Sequence, residues 1–89
     1  MSQTKTLDYY LSLLYPIVLI PEEDGAWFAK IPILPGCISE GDLPAHALEM
    51  VEDAKRGWIE SALKHGDAIP EPQPGTIEIV YKPYLQPSP

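Results

Sequence analysis

A chain of 89 residues with thirteen acids against six Lys and Arg reads as one small domain. Its formal charge of −7 and pI near 4.5 argue against a nucleic-acid binder, which needs a basic face to displace counterions from phosphate. The lone Cys37 excludes an intramolecular disulfide and, with two histidines, gives no zinc-ligand spacing.

Residues 4–14 read as a short helix. Leu7, Tyr10, Leu11 and Leu14 fall on one stripe, and Thr6 and Asp8 suit its start. Three turns do not hold alone in water, so this helix must dock on something or pair with another chain. The apolar stretch Leu11 to Ile20 is interrupted by Pro16 and is too short to span a bilayer. With no signal peptide at the N-terminus, the expected location is cytoplasmic.

Tyr15 to Ile20 is β-branched and apolar, as expected of a strand buried on both faces. Pro21-Glu22-Glu23-Asp24-Gly25 is a hairpin turn, and Ala26 to Ile31 is the return strand. Alternation puts Trp27, Ala29 and Ile31 on one face and Ala26, Phe28 and Lys30 on the other. One of the two aromatics therefore meets the core, and the other is left for solvent or a partner. Pro32, Pro35 and Gly36 break the ladder, and a third strand is expected over Cys37 to Glu40, stopped by Gly41-Asp42.

A long helix follows, with Asp42 as its cap and Pro44 in its first turn. Ala47, Leu48, Val51, Ala54, Trp58, Ala62 and Leu63 form its apolar stripe. Glu52–Arg56 and Glu60–Lys64 are expected ion pairs. Gly57 is expected to allow close approach to the sheet, and Gly66 to end the helix in a left-handed conformation. A proline-rich connector leads to a last strand over Thr76 to Tyr81, and residues 82–89 form a tail with three prolines. The order is α-β-β-β-α-β: an α+β fold, with a small, mainly antiparallel sheet covered on one face by the long helix. Residues 1–81 make the expected single domain.

The ordered set Tyr15-Pro16-Ile17-Val18, Glu23-Asp24-Gly25-Ala26-Trp27-Phe28-Ala29 and Ile31-Pro32-Ile33-Leu34-Pro35-Gly36-Cys37 resembles the HicB-like antitoxin family. The resemblance continues through Glu40-Gly41-Asp42, Ala47-Leu48, Ala54, Trp58, Gly66 and Ile69-Pro70-Glu71-Pro72. It implies a truncated ribonuclease-H-like fold serving as a protein-binding module. It also implies neutralisation of HicA, a small toxin that cleaves messenger RNA. Many members carry a C-terminal operator-binding segment. With only residues 82–89 after Tyr81, no DNA-binding domain is expected here, and no direct contact with nucleic acid. The small hydroxyl residue usual before Pro44 is here Leu43.

No catalytic or metal-binding set is expected, and no cofactor. Ribonuclease H chemistry needs converging carboxylates on metal ions, one of them on the first strand. The first strand here carries none, and Glu52, Asp53 and Glu78 need not converge. Cys37 has no base beside it, and His46 and His65 lie too far apart on one helix to share a metal. Candidate partner-binding residues are Glu22, Glu23, Asp24, Glu40 and Asp42, whose carboxylates would meet a basic RNA-binding surface as phosphate does, and Trp27 as an aromatic interface anchor or a core residue. Gly25, Pro35, Gly36, Gly41 and Gly66 are read as structural turns, with Asp42 as a cap. The expectation is an antitoxin working by protein binding on a HicA-like basic toxin, as a homo-oligomer (dimer or tetramer). An orphan homo-oligomeric scaffold and, further off, a metal-dependent nuclease are the alternatives.

Overall fold

A computed structural model describes residues 5–73 and the backbone of Val80 and Tyr81. The elements are α1 (Leu7–Leu11), β1 (Val18–Pro21), β2 (Trp27–Lys30), β3 (Ile38–Gly41), α2 (Pro44–His65) and β4 (Val80–Tyr81). The sheet order is β3-β2-β1-β4, with β4 parallel to β1 and the other pairs antiparallel. This is the α+β arrangement expected from the periodicities. The remainder of the expected last strand, 76–79, and the tail 82–89 lie outside the described residues.

α1 is shorter than its apolar stripe suggests. Thr6 caps it by accepting the Tyr9 N–H at 3.2 Å. At the other end the Ser12 hydroxyl donates to the Tyr9 carbonyl at 2.6 Å and Leu13 N–H bonds only three residues back, so the ladder closes early. Leu14, expected on the buried stripe, is exposed. β1 starts later than expected because Tyr15 leaves the ladder: its ring is buried and its hydroxyl donates to the Pro70 carbonyl at 2.7 Å. The β1 residues are half-buried rather than enclosed on both faces, because helices lie on one side only.

The β1–β2 turn is a tight three-residue loop. Gly25 N–H donates to Glu22 O, Glu22 N–H donates to Ala26 O, and only Gly25 takes positive φ (96°). Asp24 stays on the negative side and accepts the Ala26 N–H at 3.0 Å. Between β2 and β3 the chain folds inward: Leu34 N–H bonds Ile31 O, Cys37 N–H bonds Leu34 O, and Gly36 supplies positive φ (85°). Leu34 is thereby fully buried.

α2 packs chiefly on β3 and β2. Its buried residues are Ala47, Val51, Lys55, Ile59 and Ala62. Ile59 and Lys55 were not on the expected stripe, whereas Leu63 is exposed and Trp58 is half-buried, its indole N–H donating to Pro35 O at 2.7 Å. The ion pairs also differ: Lys55 reaches Glu52 at 2.9 Å and Arg56 reaches Glu60 at 3.5 Å. Lys55 points inward and draws Glu52 to itself, which leaves Arg56 to turn one helical turn forward.

Three small-residue roles need correction. The cap of α2 is Leu43, extended and without a side-chain hydrogen bond, so Asp42 does not cap. Gly41 is not a turn glycine; it is the last residue of β3 and has no positive φ. Its absent Cβ admits the backbone of α2, since a Cβ there would stand 2.5 Å from Ala47 N. Gly57 makes no such close approach, since nothing lies within 4 Å of its Cβ position. Gly66 closes α2 in the left-handed conformation (φ 71°), with Asp67 N–H bonding Ala62 O.

An acidic sheet end as candidate functional site

The register decides which residues meet. Trp27 pairs with Pro21 on one side and Gly41 on the other, so the hairpin tip 22–25 and the end of β3 lie at the same end of the sheet. Glu22, Glu23 and Asp24, far from Glu40 and Asp42 in sequence, therefore share that end with Trp27. None of these five carboxylates forms an ion pair among the described residues. All but Glu22 belong to exposed residues. Carboxylates with no ion pair among these residues are available to an opposite charge from outside.

Trp27 faces the core side of the sheet with Ala29 and Ile31 and packs, half-buried, against the core. Phe28 thus takes the open face, where it sits between Ile20 and Glu40. Val18, Lys30 and Ile38 form the neighbouring row. Sequence reasoning did not place Phe28 in the site, although the alternation already showed that one aromatic had to face outward.

The other polar features are structural. Glu71 ties the connector to α1: Lys5 Nζ and Tyr9 OH each donate to its carboxylate at 2.8 Å, and Lys5 also lies 5.2 Å from the Tyr9 ring centre. The bond from Lys5, then that from Tyr9, holds the Glu71 carboxyl below the usual carboxylate range. A depressed carboxyl contributes stability that is present above its unfolded value, about 4.3, and is lost as the pH falls through the folded value. Acidification from pH 6 to about 3 is therefore expected to loosen α1 from the connector. Amide exchange of α1 read at both pH values checks this, with allowance for intrinsic exchange rates. Equal protection at both, or the same acid loosening in Glu71→Gln, overturns it.

Lys55 is 5% exposed, held by Glu52 and lying 5.6 Å from the Tyr15 ring centre. The Tyr15 hydroxyl is pushed up to about 12, first by burial and then by the charge of Glu71. Burial likewise pushes the Cys37 thiol up, against the pull of Lys55, which keeps it a protonated core side chain. His46 and His65 are exposed, and the His65 ring N–H lies on the Ser61 carbonyl at 2.8 Å. Among the described residues no three His, Cys, Asp or Glu converge to hold a metal ion, and no helix is long and apolar enough to cross a membrane.

The chain is similar to UPF0150 protein Ta0767 of Thermoplasma acidophilum, 38% identical over 56 residues that cover 63% of this chain and 81% of that protein. It is also similar to UPF0150 protein ssl0259 of Synechocystis, 38% identical over 63% of this chain and 77% of the relative. Antitoxin HicB 1 of Photorhabdus laumondii is 37% identical over 67% of this chain, but the match spans only 39% of that protein. No solved structure matches. The family described as HicB_like antitoxin of bacterial toxin-antitoxin system matches residues 15–83, from the start of the buried Tyr15 anchor past β4. By that match the chain belongs to the HicB-like antitoxin family.

Proposed function

We propose that this chain neutralises a small basic HicA-like toxin that cleaves messenger RNA, by covering the toxin's RNA-binding surface with the acidic end of its sheet. It works by binding and catalyses nothing, and it does so in the cytoplasm as a homo-oligomer. The observation that carries this reading is the gathering of Glu22, Glu23, Asp24, Glu40 and Asp42 at one end of the sheet, with no ion pair among the described residues. Carboxylates so placed accept charge-assisted hydrogen bonds from Lys and Arg in the geometry of phosphate. Family membership supports the antitoxin role.

Co-expression with the product of an adjacent gene for a small basic protein tests it. Growth arrest by that protein is expected to be relieved, and a complex recovered on gel filtration. Glu40→Lys with Asp42→Lys is expected to weaken binding at least about 100-fold, roughly tenfold for each reversed charge, with the loss falling as salt rises. Unrelieved arrest, or binding indifferent to the double reversal, sinks the reading.

A further inference from the structure

Among the described residues β3 is an edge strand of the sheet with no strand on its outer side, and its hydrogen-bonding pattern leaves groups pointing outward. Ile31 N–H bonds Cys37 O, and the antiparallel ladder then pairs residues 29 with 39 and 27 with 41 in the same bonded sense. The other side of β2 agrees, since Glu22 N–H bonds Ala26 O and so directs the even-numbered residues of β2 toward β1. The amides and carbonyls of Ile38 and Glu40 consequently face away from β2, along an unpaired edge.

Exposed apolar side chains flank that edge. Ile38 is 49% exposed on the open face of the sheet. Leu43 (64% exposed), the cap residue of α2, and Met50 (41%) on α2 stand seven residues apart and off its buried stripe. The Ser39 hydroxyl donates to the Met50 carbonyl at 3.1 Å, so Met50 stands level with the middle of β3.

The geometry points to a second copy of this chain as the occupant, joined β3 to β3 in antiparallel register about a two-fold axis at Ser39. This rests on the reading that the chain self-associates, and it names the surface. In this register Ile38 of each copy meets Glu40 of the other, so all the outward amides and carbonyls of both residues are bonded. No acid faces an acid: Glu40 lies opposite Ile38 and Asp42 opposite Gly36. Each cross-strand row then runs Lys30, Ile38, and Glu40 of the second copy. That brings opposite charges into one row, and Lys30 has no ion pair among the described residues.

The helices fit the same axis. α2 rides over β3 and β2, so its axis lies about one strand spacing from the two-fold axis and two copies of α2 would lie about 10 Å apart and antiparallel. Met50 then meets Met50 of the second copy. Leu43, seven residues before it, comes level with Gly57 of the second copy, seven residues after. Gly57 is exposed, with nothing within 4 Å of its Cβ position, and this space receives an otherwise exposed leucine. The two acidic sheet ends point in opposite directions, so both remain open to toxin.

Light scattering at micromolar concentration reads the mass. Twice the 9.9 kDa chain is expected for the natural sequence and for Phe28→Glu on the open face. Met50→Glu and Met50→Lys are each expected to read as monomer, because like charges meet at the axis. Mixing the two is expected to restore the doubled mass, which damage to the fold would not do. The amides of Ile38 and Glu40 are expected to exchange slowly in the natural dimer and fast in Met50→Glu. A natural chain that stays monomeric overturns self-association as a whole. A dimer that survives both Met50 variants, or that Phe28→Glu breaks, overturns this interface alone.

Discussion

Gly41→Ala is expected to destabilise the protein by about 3 kcal/mol and to lower its melting temperature by roughly 15 °C. The added Cβ would sit 2.5 Å from Ala47 N, 2.9 Å from His46 C and 3.0 Å from Ala47 Cα. All three are backbone atoms at the start of α2, so no side chain can swing aside to make room. The only relief is to lift the helix from β3, which uncovers Ala47 and Val51, both fully buried. The strain does not come from dihedral preference, since Gly41 has no positive φ. Urea or thermal melts of the two proteins decide it. A loss below about 1 kcal/mol means that α2 does not approach the strand this closely.

Leu34→Ala is expected to cost a similar amount, about 3 kcal/mol, for a different reason. Leu34 lies in a loop between two prolines, yet it is fully buried. The turn that carries it is held by its own backbone, through Leu34 N–H to Ile31 O and Cys37 N–H to Leu34 O at 2.9 Å each. Those bonds survive truncation, so the loss is that of buried methyl groups and the cavity left behind. Leu34→Met, which nearly conserves volume, is expected to cost under about 1.5 kcal/mol. If Ala and Met variants melt alike, the side chain is not part of the core. In a domain of this size either substitution removes a large fraction of the total stability.

Much of this was legible in the residues. The hairpin around Asp24-Gly25, the left-handed Gly36 and Gly66, the proline at the start of the long helix and the element order all follow from local chemistry. Each depends on a few neighbouring residues and their allowed dihedrals. The misreadings share a different origin. Asp42 looks like a cap beside Pro44, but the chain leaves β3 extended and starts α2 one residue later. Gly57 looks like a contact glycine, but its side of the helix turns away from the sheet. The expected apolar stripe omits Lys55, but it occupies a core position between Val51 and Ile59 and takes Glu52 from its expected partner Arg56.

Strand alternation, the presence of the long helix, most of the turns and the acidic balance are readable from the residues alone. These are short-range consequences of side-chain period and backbone freedom. That the hairpin acids and the end of β3 share one end of the sheet emerges only once the strands are paired. The tertiary structure alone turned Trp27 inward and Phe28 outward, and placed β3 at the edge of the sheet among the described residues. Such facts depend on register and on which face the helix covers. Both are settled by burial between residues distant in the chain, and no local pattern encodes that.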